Sequence, residues 1–340
     1  MSAAPHIVVL SGGVGGARFT RGLLHHLHAA YPDGVGGTAA RMTVIANTGD
    51  DAWVAGVRVC PDLDSITYTL AGISDDERGW GRRDESERVS AELAAYGVGW
   101  PWFTLGDLDL GTCIARAAWL REGVGLGEIT RRITDRWGVD IQLLPATEHE
   151  AETLVRLDDD TEIHFEEWWV RYRAKRPALA FRQENIDEAT PAPGVLDAIA
   201  NADTIIIAPS NPVVSIGTIT GFSGPGGSVP GIPGIRDAVL ASSAAVVGVA
   251  PIIGGAAVRG MAEACLAPLG VETSAAAVAR AHGSRLSGGL LDAWLVDDAD
   301  AASAGDTGVP TRARPLWFTS VDETAAIAAD ALELAESVRR

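Results

Sequence analysis

"LSGGVGGARFTRGLL", residues 10–24, puts four glycines into the five positions Gly12 to Gly16, between an apolar run and a stretch with helical spacing. Glycine loses more backbone freedom on folding than any other residue. Such a cluster at a strand-to-helix junction therefore signals close approach to the main chain, by a phosphate or by a packed neighbour. The run before it, HIVVL (6–10), reads as a buried strand, and similar short runs recur at MTVIA (42–46), TIIIA (204–208), AVVGVA (245–250), AWLV (293–296) and LWFT (316–319). They lack polar alternation, and helix-like stretches separate several of them. This predicts an α/β fold: a mostly parallel, doubly wound, Rossmann-like sheet of about six strands. In such sheets ligands sit beyond the carboxyl ends of the strands, where the strand order reverses.

Between residues 67 and 139 the strand pattern gives way to helical periodicity. ESERVSAELAAYG, TCIARAAWLREG and GEITRRITDRWG each close on a glycine, as helix C-termini commonly do. The expected organisation is a Rossmann-like nucleotide-binding domain from 1–66 and 140–340, interrupted by a helical insertion at 67–139. In TLVRLDDDTEIHFEEWWVRYRAK (153–175), the acidic turn Asp158 to Asp160 separates two alternating segments, which predicts a β-hairpin. SGPGGSVPGIPG (223–234) reads as a surface loop or linker, and Ser320 with Glu323 has capping-box spacing ahead of a last helix.

A formal charge of −18 on 340 residues argues against a nucleic-acid partner, whose binders carry basic patches. No apolar run reaches the roughly 20 residues of a membrane span, and the first residues lack a signal-peptide pattern, so a cytoplasmic protein without a membrane partner is expected. Cys60, Cys113 and Cys265 are odd in number and free of CxxC spacing, which points to buried small side chains rather than disulfides or a thiolate metal site.

The glycine turn matches neither standard nucleotide signature: no GK[ST] follows, and Arg18 occupies the place of the third glycine of GxGxxG. Amides at a helix start can nevertheless face a phosphate, with the helix dipole favouring its charge, and Arg18 can add a charged donor. A tight strand-to-helix turn without a ligand is the alternative. ANTGDD places Asn47, Thr48, Asp50 and Asp51 after the second strand, and CPDLDSITYTL brings Asp62 and Asp64 shortly beyond. Hard divalent cations take one or two such carboxylates, yet Asp62 and Asp64 also suit the capping of a helix, and spacing does not choose among the four acids. APSNPVVSIG (208–217) presents Ser210 and Asn211 in a proline-stiffened turn at a strand exit. Arg82, Arg83 and Arg88, and Trp169 with Arg171 and Arg173, fit a flat acidic ligand or, equally, an ordinary surface over a core aromatic.

Taken together, SGGVGGAR, NTGDD, PDLDSITYTL, RGWG, FTLGDLDLGT, IHFEEWWVRYR and APSNPVVSIG resemble the 2-phospho-L-lactate transferase (CofD-type) family, and most closely its actinobacterial branch. The resemblance covers residues from about 5 to about 300. It implies an Mg2+-dependent, usually dimeric enzyme of coenzyme F-420 biosynthesis. A phosphoenolpyruvyl (or 2-phospho-L-lactyl) group would pass from a GDP-linked donor, enolpyruvyl-diphospho-5'-guanosine, to the deazaflavin Fo (7,8-didemethyl-8-hydroxy-5-deazariboflavin). GMP would leave and dehydro-coenzyme F-420-0 would form. The resemblance further implies that Gly12, Gly13, Val14, Gly15, Gly16, Arg18, Ser210 and Asn211 bind the nucleotide. Asn47, Asp50, Arg88 and Trp169 would lie near Fo, Asp50, Asp51 and Asp64 would hold the metal, and Asp50 and Asp64 would act in catalysis. Two other functions suit the same sheet: a UDP-sugar-binding regulatory protein of this fold, and an NAD-dependent oxidoreductase, against which Arg18 counts.

Overall fold

The computed structural model describes residues 4–339. Its first half runs β1 (His6–Ser11), α1 (Gly13–Ala30), β2 (Arg41–Ala46), a ribbon of β3 (Ala52–Val54) and β4 (Val57–Val59), α2 (Pro61–Leu70), α3 (Arg88–Ala95), α4 (Asp107–Arg121), α5 (Leu126–Arg136) and β5 (Gln142–Pro145). There follow β6 (Thr153–Leu157), β7 (Glu162–His164), β8 (Ala178–Gln183), α6 (Val195–Ala200), β9 (Thr204–Ile207), α7 (Ile216–Thr220), β10 (Phe222–Gly224), β11 (Gly227–Val229), α8 (Ile235–Ala241) and β12 (Ala245–Val249). The chain ends with β13 (Ile252–Ile253), β14 (Ala256–Ala257), α9 (Ala262–Leu266), α10 (Ala275–His282), β15 (Ala293–Val296), β16 (Thr311–Ala313) and α11 (Val321–Ser337).

Seven parallel strands form the central sheet in the order β16-β15-β12-β9-β1-β2-β5. From β1 the chain builds outward through β2 and β5 on one side, then crosses to β9 and continues through β12, β15 and β16 on the other. The order therefore reverses between β1 and β9, with Leu10 opposite Ile207 at their carboxyl ends. Residues of β1, β9, β12 and β15 are buried along their whole length, which is why these strands read as unbroken apolar runs. Helix α1 packs against α2 and α11, and α11 lies against β12.

The doubly wound parallel sheet is the one expected, with two differences at its edges. LWFT (316–319) is not a strand. The edge position belongs to Thr311–Ala313, after which Pro315 offers no N–H to a ladder and Leu316 donates its amide to Asp297 Oδ2 at 2.7 Å. QLLP (142–145), short and without β-branched residues, is the seventh strand. The acidic turn does join an antiparallel pair, β6 and β7, to which β8 adds a third strand. The second segment stops at His164, however, and Glu167–Arg171 winds into a helical turn that buries Trp168. Residues 222–229 form a small hairpin where a loop was expected, and its Gly224 and Gly226 lie so close to the backbone of Pro268 and Leu269 that a Cβ would clash. Helices α3, α4 and α5 are followed by Gly97, Gly123 and Gly138 at φ of 71°, 80° and 61°. Ser320 caps α11, its Oγ accepting from the Glu323 amide at 3.1 Å. All three cysteines are buried and unbridged.

Candidate active site

The glycine cluster opens α1 at the reversal point of the sheet, and three of its four glycines answer to packed neighbours. A Cβ on Gly15 would lie 2.9 Å from the Pro209 carbonyl oxygen, one on Gly16 would lie 2.2 Å from Ser11 Oγ, and one on Gly12 would lie 2.7 Å from Asp62 Oδ2. Gly13 is needed for its backbone, at φ 62°. Ser210 locks this turn to the end of β9: its Oγ donates to the Gly12 carbonyl at 2.6 Å and accepts from the Gly12 amide at 3.0 Å. The Gly13 amide donates to Asp62 Oδ1 at 2.6 Å. Val14 and Gly15 lie in the first turn of the helix, where amides have no intrahelical acceptor, and they are the donors left for an anion.

The four acids do not form one cluster. Residues two apart on a helix do not share a face, which separates Asp62 from Asp64. Asp50 and Asp62 turn toward the glycine turn, where Glu166 joins them from the segment after β7. Asn47 holds this group together. Its Nδ2 donates to Asp62 Oδ2 at 2.9 Å, while its Oδ1 accepts from the Gly49 amide at 2.8 Å and from Thr218 Oγ1 at 2.6 Å. Burial raises all three carboxyls, and their proximity raises Asp50 and Glu166 further. Asp62 lies at about 6, Glu166 at about 8, and Asp50 well above the usual carboxylate range. Asp50 Oδ1 is buried without a hydrogen-bond partner.

Asp64 faces the other way, and Asp51 stands between the two sides: its charge also raises Asp50 and Glu166, and both its oxygens are buried without a hydrogen-bond partner. Asp64 Oδ1 is ion-paired with Arg116 of α4, away from the glycine turn that Asp62 meets. Asp51 is pushed up by burial to about 7, although the Arg58 guanidinium opposes the shift. One metal-sized cluster exists among the described residues, Asp64, Asp109 and Cys113, with ligand atoms within 4.8 Å of one another. Arg116, whose guanidinium contacts both Asp64 and Cys113, supplies its positive charge. Burial also holds the Cys113 thiol in its protonated form, which is no ligand for a hard cation.

The remaining expected residues are more scattered. Arg18 Nη2 donates to the Asp76 carbonyl at 3.3 Å, one turn along α1 from the glycines. Asn211 braces its own turn, with Oδ1 accepting from the Val213 and Val214 amides at 3.0 and 3.2 Å. Arg88 is exposed at the start of α3, a helix that buries none of its residues, and Trp169 packs half-buried against the main core. Sequence reasoning did not single out Glu166, which reaches the site from more than a hundred residues away. It also passed over the aromatic group Trp100, Trp102 and Phe103, where Trp100 stacks on Trp102 at 4.8 Å and sits 5.3 Å from His164. The run WPWF was the available signal.

A glycine turn opening a helix at the reversal point of a doubly wound sheet, with acids gathered beside it, is the arrangement at which proteins of this α/β class place their ligands. The chain belongs to the family described as 2-phospho-L-lactate transferase CofD, which matches residues 7–307. It is 52% identical to the phosphoenolpyruvate transferase of Thermobifida fusca over 332 residues, covering 97% of each chain. It is 50% identical to that of Streptomyces griseus, covering 98% of this chain and 99% of the relative, and 47% identical to that of Mycolicibacterium smegmatis, covering 97% and 98%. A solved member of the UPF0052 family from Bacillus halodurans shares the fold, with a TM-score of 0.60 at 17% identity, over 97% of this chain and 99% of that one. Family membership carries the class of activity: transfer of a 2-phospho-L-lactyl or phosphoenolpyruvyl group. No helix among the described residues is long and apolar enough to cross a membrane.

Proposed function

We propose that this protein transfers a phosphoenolpyruvyl group from a guanosine-diphosphate-linked donor to the terminal ribityl hydroxyl of the deazaflavin Fo, releasing GMP. The observation that carries this reading is the direct bond from the Gly13 amide to Asp62, which brings a buried carboxylate group to the mouth of the helix-opening turn. Displacement at phosphorus needs little covalent help from the protein, so positioning and charge neutralisation dominate. The Val14 and Gly15 amides bind the diphosphate along the α1 dipole, and Ser210 keeps the turn closed around it. Three buried carboxyls with raised proton affinity and an orphaned oxygen on Asp50 fit a hard, oxygen-seeking cation, since like charges there require either protons or a cation. Asp50 and Asp62, with Glu166 beside them, would hold Mg2+; when bound it neutralises charge on the diphosphate. Asp50 orients the attacking hydroxyl and accepts its proton as GMP leaves.

The test is to incubate purified protein with Fo, Mg2+ and either the enolpyruvyl or the lactyl guanosine donor, and to weigh the products by mass spectrometry. Formation of dehydro-coenzyme F-420-0 with GMP is the expected outcome. No product from either donor, together with tight binding of a UDP-sugar, would replace this reading with that of a binding regulator.

A further inference from the structure

We infer that Arg116 is a positioning residue that holds the two acid-bearing segments of the transfer site at a fixed separation. The inference rests on the function proposed above. Arg116 lies on α4, outside the nucleotide site, and only 1% of it is exposed. One arm of its guanidinium is ion-paired with Asp64 on α2. The other, Nη1, donates to the Arg58 carbonyl on β4 at 3.0 Å and touches Cys113 Sγ at 3.8 Å.

One anchor carries a site acid and the other is one strand removed from the rest. Asp62 is two residues before Asp64 on α2. Arg58 pairs across the ribbon with Trp53 on β3, the strand that Asp50 and Asp51 lead into. A single planar cation therefore ties α2, which bears Asp62, to the β3–β4 ribbon that directly follows Asp50. Arg58 extends the brace on its far side through its ion pair with Glu152, which His164 Nε2 approaches at 3.6 Å.

A buried ion pair adds little net stability, because desolvation offsets most of the attraction, whereas removing one partner leaves a charge stranded. What a forked guanidinium supplies is geometry: two donors in one plane, directed at two different backbone elements. Lysine, a point charge, keeps the charge and can reach one of the anchors but not both. An error of about 1 Å in the spacing of reacting groups is enough to lower a rate roughly 100-fold.

The experiment compares R116K and R116Q with the wild-type full chain by hydrogen–deuterium exchange without substrates, by Mn2+ titration followed by electron paramagnetic resonance, and by steady-state kinetics. In both variants, exchange should rise selectively in peptides covering 47–60 and 61–70, while peptides of α11 keep wild-type rates. Mn2+ affinity should fall about tenfold, and kcat should fall about tenfold in R116K and further in R116Q, with KM for the guanosine donor within twofold. R116K retains the buried charge and serves as the deciding variant if R116Q does not fold. Wild-type exchange at 47–70 with wild-type Mn2+ affinity in R116K would overturn the inference, as would exchange that rises evenly over the whole chain. Selective exchange in a protein that transfers no group in its wild-type form would sustain the brace and end the proposed function.

Discussion

Asp62→Asn separates the two things this carboxylate does. In the metal-free protein its buried carboxyl is held at about 6, against an ordinary 3.8, chiefly by burial. At about 1.4 kcal/mol for each tenfold change in proton affinity, ionising it at pH 7.5 costs about 3 kcal/mol of folding stability. Asparagine removes that penalty. The bonds from the Gly13 amide at 2.6 Å and the Asn47 amide at 2.9 Å already oppose the burial within that net shift, so their loss is contained in the same figure. The metal-free melting temperature at pH 7.5 should therefore rise, by about 4 °C. Cation binding should behave quite differently. Loss of outer-sphere partners alone costs 10–100-fold in metal affinity, so loss of a carboxylate that would hold the ion should cost at least about 100-fold. With Mg2+ fixed at about 100 times the wild-type Kd, ligand stabilisation would fall from about 2.7 to about 0.4 kcal/mol. Scanning calorimetry with and without Mg2+ reads both quantities, and a variant that kept the wild-type response to Mg2+ and wild-type turnover would refute the reasoning.

The wild-type protein should show a characteristic pH dependence. Carboxyls with raised pKa bind protons more tightly in the folded state, so their contribution to stability is greatest below the ordinary carboxylate range. It declines as pH rises through about 6 for Asp62 and about 8 for Glu166. Melting temperatures of metal-free protein between pH 5 and 8.5 should fall, with Mg2+ restoring stability progressively above pH 6; a flat difference between the two curves would contradict the shared acidic site. Gly16→Ala places a Cβ 2.2 Å from Ser11 Oγ and 2.5 Å from Ser210 Oγ. It should lower stability by about 1–3 kcal/mol by urea denaturation and weaken GDP binding in titration calorimetry, because the turn must open to accept it. Ser320→Ala removes the α11 cap and should cost about 1 kcal/mol while leaving transfer activity unchanged.

Most of the sheet was legible because its strands are buried on both faces. The runs from Ile7, Val44, Ile205, Val246 and Trp294 carry no polar residue to disguise them. The edges were not. Gln142–Pro145 lacks β-branched side chains, and Thr311–Ala313 is fixed by pairing with β15 rather than by its own composition. The glycine turn was visible as a close approach, but whether to protein or ligand depended on the crossing from β5 to β9, which no local pattern encodes. The same holds for the acids. Asp50, Asp51, Asp62 and Asp64 look equivalent in a list, and only the fold, with the pitch of α2, sends Asp62 to the glycine turn and Asp64 to Arg116. Glu166 and Arg116 arrive from distant segments, so their partners exist only in three dimensions.

The most direct measurement is a crystal structure with GDP and Mn2+, the ion located by anomalous scattering. The account predicts diphosphate oxygens on the Val14 and Gly15 amides and an anomalous peak among the oxygens of Asp50, Asp62 and Glu166. A peak at Asp64, Asp109 and Cys113, or a nucleotide bound away from the first turn of α1, would contradict it.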